Sequence, residues 1–436
     1  MNIEELYQLF LKHPSVSTDS RTIKSGSIFF ALRGENFDGN KFAKQAIEQG
    51  AAYSVIDNPA YEEDERFILV EDSMRALQQL ATMHRSKLKI PVIAITGSNG
   101  KTTTKELTYA VLFKKFNAYA TKRNLNNHIG VPLSLLEMNS ETEIAVIEMG
   151  ANHRGEIAAL CEIANPDFGL ITNVGKAHLE GFGGFEGVKK GKGELYSYLS
   201  NKNGTAFINA ENFDLHSIAE AAGVKKIISY GTNSECDCNG KVAEEFPSLR
   251  ISWKAKNKSV ENIIQTHLTG SYNLENILAA VCIGNYFGVE PENINSAIAE
   301  YIPSNNRSQV VFKGSNMIIL DCYNANPSSM TAALINFSGM KAKKKVVILG
   351  DMLELANESE ALHRTVLEQL DSLSLDKIIL IGKEFISASG KENIKCKIFA
   401  TTEDAKIFLS ENKFQDAAIL VKGSHALRLE KLFDTL

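Results

Sequence analysis

The chain has 436 residues, 44% of them hydrophobic and 23% charged, with a net charge of -5. That length passes the roughly 250–300 residues at which one core stops growing, so two or three domains are expected. The slight acidic excess, 52 Asp and Glu against 47 Lys and Arg, excludes charge as a reason to expect a nucleic-acid or anionic-membrane partner.

The first residues, MNIEELYQLFLKHPS, put Glu4 and Glu5 where a secretory signal would be positive. No run approaches the ~20 apolar residues of a membrane span, so a cytoplasmic protein is expected. Short strands are predicted at 27–32 (SIFFAL), 51–57 (AAYSVID) and 66–72 (RFILVED), with a helix ending at Gly50 between the first two. A polar helix over 73–88 leads out of this small α/β unit.

A second unit opens at Pro91. PVIAIT is a compact apolar strand that runs into a Gly-rich loop, and TTTKELTYAVLF after it has helical spacing. EIAVIEMG (143–150) and DFGLITNVG (167–175) are further buried strands. Near-continuous apolar strands alternating with helices predict a mainly parallel sheet covered on both faces. The less regular stretch 232–262, with the only tryptophan, Trp253, reads as edge strands, and 270–288 as a helix. From Pro303 four more strands follow, NMIILDCYN, KKVVILGD, DKIILIG and AAILVKGS, in a second doubly wound pattern. The six cysteines (161, 236, 238, 282, 322 and 396) show no zinc spacing and are expected to be reduced thiols.

In open parallel sheets ligands sit at the carboxyl ends of the strands. The candidate residues recur at that address. ITGSNGKTT matches the end of the common phosphate-loop pattern, but Ile95 stands where its first glycine would be. Gly97, Ser98, Asn99 and Gly100 would let backbone N–H groups turn around phosphate oxygens at a helix start. Lys101 would neutralise phosphate charge, and Thr102, followed by Thr103, would offer a hydroxyl to Mg²⁺. Glu148 ends an apolar strand, where a carboxylate needs a reason: a Mg²⁺ ligand, a buried ion pair or an exposed strand end. His178 lies just past the next strand, and on its own reads equally as a plain loop histidine. Lys192 sits beside Lys189 and Lys190, and on its own reads as part of a solvated basic patch.

GSNGKTT, NLNNHIGVPLSLL, IEMGANHRGEI, TNVGKAHLEGFG, KGKGE and GSYNLENILAA, in that order, resemble the ATP-dependent Mur ligase family of peptidoglycan synthesis. TDSRTIKSGSIFFALRGENFDGN, DCYNANPSSM, LGDMLELANESEALHR and VKGSHALRLE resemble the branch that adds D-Ala-D-Ala to a UDP-N-acetylmuramoyl-tripeptide. The shortened phosphate loop is that family's own form. The resemblance implies three α/β domains: 1–86 for the UDP-muramyl substrate, a central P-loop-type domain 87–302 for ATP and Mg²⁺, and a Rossmann-like domain 303–436 that closes over the site. It implies a cytoplasmic monomer making an acyl phosphate, with Glu148 and His178 holding two Mg²⁺ ions and Lys192 carbamylated.

Softer roles also follow from the resemblance. Asp19, Ser20, Arg21, Phe37, Asp38 and Gly39 match the uridine-nucleotide end. Asn126 and Asn127 match the loop between ATP and substrate, and Asn273 and Asn276 the adenine side. Arg307, Asp321, Tyr323, Asn324 and Asn326 match the part of the last domain that meets ATP. Asp351, Met352, Leu353 and Glu354 match the dipeptide side. Departures stand at Asn40, Tyr272, Leu320 and His425. A sister ligase, a folate polyglutamate-forming enzyme and a nucleotide-hydrolysing switch are the rival readings. YNANPSSM and GDMLEL argue against the first two, and a switch leaves the outer domains without a task.

Overall fold

The computed structural model describes residues 1–304, 306–390 and 396–436. Three parallel-rich sheets follow one another along the chain. The first has the order Val16–Ser17, Ile28–Phe30, Tyr53–Ile56, Phe67–Leu69, all parallel. Side chains alternate across it as a pleated strand requires: Ile28 and Phe30 enter one buried cluster, Phe29 and Ala31 another.

The second sheet has nine strands. Val92–Thr96 lies between Phe168–Ile171 and Ile144–Glu148, with Ala118–Ala120 at one edge. On the other side run Thr205–Asn209, Lys226–Gly231, Cys238–Glu244, Arg250–Ala255 and Asn262–Gln265. The last two pairings are antiparallel, so 232–262 does form the sheet edge. Trp253 is buried there, its indole N–H donating to Asn295 Oδ1 at 2.7 Å. The chain leaves Val92–Thr96 toward one side of the sheet and returns to build the other, which makes its carboxyl end a topological switch point. Val92 and Ala94 face one core and Ile93 and Ile95 the other, so this central strand is buried on both faces.

The third sheet has the order Gln309–Lys313, Asn316–Asp321, Ala417–Lys422, Lys344–Gly350, Lys377–Ile381, Cys396–Phe399, with an antiparallel first pair and parallel pairs beyond it. Val16–Ser17, Ala118–Ala120, Thr205–Asn209, Lys226–Gly231, Gln309–Lys313 and Cys396–Phe399 were not predicted from sequence. Four of these six lie at a sheet edge, Thr205–Asn209 and Lys226–Gly231 lie inside the nine-stranded sheet, and several are too short to show a hydrophobic pattern.

The helix Ser73–Lys87 joins the first sheet to the second. Asp72 caps it, its side chain accepting from Arg75 N at 2.9 Å. Leu77 and Leu80 are fully buried in a cluster that runs from Leu6 and Phe10 through Val92 and Ile147 to Leu215. Residues of the first two sheets therefore share one core. The third sheet instead fills two clusters drawn from its own segment, met by the half-buried Phe246 of the middle unit. Burying one such leucine is worth about 1.5–3 kcal/mol, so a shared core is a rigid joint and a separate one leaves freedom to rotate. The C-terminal unit is accordingly expected to move as a body about residues 300–306, of which Asn305 lies outside the described residues. Small-angle scattering should show a smaller radius of gyration when an ATP analogue and the muramyl substrate are both bound. An unchanged radius in every ligand state would sink that expectation.

Candidate active site

The strand Val92–Thr96 is followed by Gly97 and Gly100, both with left-handed-side backbone (φ 140° and 79°). A Cβ on Gly97 would lie 2.0 Å from Thr172 Oγ1, and one on Gly100 would lie 2.5 Å from Asn276 Oδ1. Only glycine fits either place without moving the neighbours. The helix Lys101–Phe113 starts at once, so its free N–H groups face the loop.

The loop is braced from outside. Thr172 Oγ1 donates to Asn99 O at 2.5 Å, and Asn99 N donates to Asn173 Oδ1 at 3.0 Å. Thr104 Oγ1 donates to Asn276 Oδ1 at 3.0 Å, and Asn276 Nδ2 to Asn273 Oδ1 at 2.8 Å. Asn273 and Asn276 thus tie the helix Asn273–Tyr286 to the helix Lys101–Phe113, with Asn276 packed against Gly100 of the loop. Lys101 Nζ donates back to Gly97 O at 2.7 Å and Ser98 O at 3.1 Å, which sets its charge over the cradle. Burial lowers its pKa to about 8, against the opposing pull of Glu148, with a further push down from the Arg307 charge.

Glu148 ends its strand only 1% exposed. Its Oε1 accepts from Thr102 Oγ1 at 3.2 Å and from Asn126 Nδ2 at 2.8 Å. Its Oε2 is buried with no hydrogen-bond partner among the described residues. A buried carboxylate oxygen with a missing partner costs free energy unless something positive completes it. Hard oxygens from Glu148 and Thr102 are the donor type Mg²⁺ takes, so this pair fits one ion. Asn127 Oδ1 caps the next helix, accepting from Gly130 N at 2.9 Å.

His178 stands in a left-handed turn (φ 53°) and its Nδ1 pairs with Glu354 Oε2 of the C-terminal unit. That contact holds the Glu354 carboxyl below its ordinary range. Among the described residues no three His, Cys, Asp or Glu side chains converge as a metal site.

The three neighbouring lysines separate. Lys189 is paired with Asp214 at 2.7 Å and Lys190 is exposed. Lys192 is 1% exposed. Its Nζ donates to Ala151 O at 3.1 Å, lies 5.1 Å from the Phe182 ring centre, and meets no carboxylate partner among the described residues. Burial, and secondarily the charge of Lys101, pushes its pKa well below the usual lysine range. A solvated patch does not describe it.

A cleft of about 1110 Å³ lies over the phosphate loop, Glu148 and His178, and Lys192 is not among the residues that line it. The loop 98–103, Asn126, Asn127, Glu148 and His178 form one wall, and Arg307, Asp321, Tyr323 and Asn324 the other. Asn326 Nδ2 crosses the seam to Asn99 Oδ1 at 2.8 Å. The Arg307 guanidinium carbon lies over Tyr323, 3.6 Å from the ring centre. Asp321 pairs with the buried Lys422 at 2.6 Å. Lys422 lines the cleft and was not singled out in the sequence, although its place at a strand end was a signal; Asn173 in the cleft wall and Thr172, which braces Asn99, were overlooked in the same way.

Two of the dipeptide-side residues point elsewhere. Asp351 accepts from Glu384 N and Phe385 N, both at 3.0 Å, and so caps a helix start. Met352 is fully buried in the C-terminal core. Leu353 is exposed, and Glu354 reaches His178. The residues matched to the uridine end do not line the cleft. Asp19 caps Ser20–Thr22 and grips Arg21 through two contacts of 2.9 and 2.8 Å, which holds its carboxyl down at about 2. Phe37 is 54% exposed and stacks on Phe42. Asp38 accepts from the buried Asn40, which also donates to Asp57 Oδ1 at 2.8 Å. A Cβ on Gly39 would lie 2.5 Å from Leu32 O.

Three family models match the chain: Mur ligase family, catalytic domain over 14–85; Mur ligase middle domain over 95–284; and Mur ligase, glutamate ligase domain over 306–425. The UDP-N-acetylmuramoyl-tripeptide–D-alanyl-D-alanine ligase of Bacillus subtilis is 34% identical over all of this chain and 97% of its own length. A crystal structure of MurF from Acinetobacter baumannii superposes with a TM-score of 0.87 at 33% identity, covering 96% of this chain and 92% of that one. The MurF ligase of Thermotoga maritima, solved in complex with ADP, gives 0.85 at 28% identity over 98% and 97%. A fold, a phosphate cradle and relatives that agree along the whole chain lead to one assignment: this chain belongs to the Mur ligase family.

Proposed function

We propose that the chain joins D-Ala-D-Ala to UDP-N-acetylmuramoyl-tripeptide with ATP, giving the UDP-muramyl pentapeptide, ADP and phosphate. The single observation that carries this reading is the cleft, where a phosphate cradle on one unit faces Arg307, Asp321 and Asn324 on another. Full-length similarity to enzymes named for this reaction agrees with it.

The chemistry follows from charge. A tripeptide carboxylate must approach the γ-phosphate of ATP although both are anions. Lys101 at the cradle screens that repulsion and orients the phosphate. Attack by the carboxylate oxygen on phosphorus releases ADP and forms an acyl phosphate. The neutral amine of D-Ala-D-Ala then attacks the acyl carbon, expels phosphate and loses a proton. Closure of the C-terminal unit keeps water from the acyl phosphate. Glu148 and Thr102 would hold Mg²⁺, which when bound draws charge off the phosphate oxygens. His178, once released from Glu354, would hold a second ion. Lys192 is assigned a carbamate, formed when its neutral amine adds to CO₂ and a proton leaves, which would turn a buried cation into an oxygen ligand.

We divide the chain at 86 and 302. The first part would hold uridine, with Phe37 offering a ring face and Asp19, Ser20, Arg21, Asp38 and Gly39 polar contacts. Asn126 and Asn127 would lie between ATP and the muramyl peptide, Asn273 and Asn276 beside adenine, and Arg307, Asp321, Tyr323, Asn324 and Asn326 over the phosphates and ribose. Leu353 and Glu354 would face the dipeptide, with Asp351 and Met352 anchoring their loop. A cytoplasmic monomer suits nucleotide-linked substrates and a cleft built within one chain.

Purified protein with ATP, Mg²⁺, D-Ala-D-Ala and either the lysine or the diaminopimelate form of the UDP-tripeptide tests this by product mass. A pentapeptide product whose phosphate release needs both acceptor and donor is expected. Phosphate release indifferent to either would point to a hydrolytic switch.

A further inference from the structure

The wall of the cleft contributed by the C-terminal unit depends on a segment with unusual backbone. Asn306 and Ser308, on either side of Arg307, both have positive φ (51° and 49°) although neither is glycine. Such residues persist only where their surroundings hold them. Three contacts do so. Cys322 N donates to Asn306 O at 2.9 Å, and Ser308 N donates to Asp321 Oδ1 at 3.2 Å. The third comes from the other unit: Tyr272 Oη and Ser308 Oγ are 2.9 Å apart.

Tyr272 has little freedom. A Cβ on Gly270 would lie 2.3 Å from Tyr272 Cε1, so the ring lies against the Gly270 backbone and its hydroxyl direction is set. Tyr272 also sits directly before the helix Asn273–Tyr286, whose Asn276 braces the phosphate loop. A continuous run of contacts therefore leads from the cradle, through Asn276 and the helix start, to Tyr272, Ser308 and Arg307. Arg307 lies over Tyr323, and its Nε is buried without a hydrogen-bond partner among the described residues. A half-buried guanidinium that lines the cleft and keeps a spare donor is suited to an anion.

We infer that the Tyr272 hydroxyl is a positioning group for the ligation: across the seam it fixes Ser308, and through Ser308 it sets Arg307 against the nucleotide when the C-terminal unit closes. This rests on the ligase reading above. Tyr272 lines the cleft, but its hydroxyl is engaged by Ser308, so its effect belongs to the closed, reacting state and falls on kcat rather than on nucleotide binding.

The test compares the full-length wild type with Tyr272→Phe, Ser308→Ala and the double variant, with ATP, UDP-tripeptide and D-Ala-D-Ala. Each single variant should lose about tenfold in kcat, the size of one hydrogen bond lost from a preorganised site. The double should lose no more than either single, because both remove the same contact. KM for ATP and the melting temperature should stay at wild-type values. A raised KM for ATP in Tyr272→Phe with a silent Ser308→Ala would mean that the hydroxyl meets the nucleotide directly, and would overturn the inference. So would additive losses, wild-type kcat in both singles, or losses that track a fall in melting temperature. If the wild type hydrolysed ATP without joining its substrates, the ligase reading would fall, and the same comparison of ATP turnover would still decide the role of Tyr272.

Discussion

Lys101→Ala should lower kcat by at least two to three orders of magnitude while the protein stays folded. The lysine stands at the first residue of a helix, with its ammonium on the Gly97 and Ser98 carbonyls rather than in a core. Its removal therefore leaves no cavity in either of the main clusters. What is lost is one preorganised positive charge beside a phosphate that gathers negative charge as it transfers, worth about 2.7–4 kcal/mol in comparable sites. Circular dichroism and the melting temperature should match wild type. Near-normal turnover in a folded variant would remove Lys101 from the phosphate site.

Lys192→Ala should be nearly inactive, with Lys189→Ala and Lys190→Ala close to wild type. The selectivity is the point. Lys189 is held by Asp214 and Lys190 is solvated, whereas Lys192 is buried with its amine pushed toward the neutral form. Only a neutral amine adds to CO₂. Acetate at tens of millimolar should restore part of the activity by placing a carboxylate in the vacated space, and rigorous removal of CO₂ and bicarbonate should slow the wild type. Mild and equal losses at all three lysines would refute the carbamate, since a solvated patch behaves that way.

The parts of this molecule that the sequence announces are those where position and residue type constrain each other. ITGSNGKTT declares its turn because only glycine suits positions 97 and 100, and the apolar strand before it fixes where the turn lies. Glu148 stood out because a carboxylate rarely ends such a strand, and the orphaned Oε2 bears out that it is an anomaly. Contacts between distant segments left no such trace. Nothing local says that His178 meets Glu354, 176 residues on, or that Asn326 meets Asn99. Asp351 and Met352 mislead for a related reason: a conspicuous motif holds both the residues that face outward and those that anchor them, and only packing tells them apart. The short edge strands were invisible because two to five residues at a sheet margin need no apolar alternation.

The joint between the first two sheets has a consequence for how far apart chemistry and recognition sit. Because Leu77, Leu80, Val92 and Ile147 belong to one core, the first sheet and the phosphate loop are fixed ends of a single ruler. On the proposed assignment, a substrate anchored at the first sheet would present its reactive carboxylate at a set reach from the loop. Peptides one residue too short or too long would then be disfavoured by length alone, before any side chain is read, leaving the C-terminal unit to meet only the incoming dipeptide.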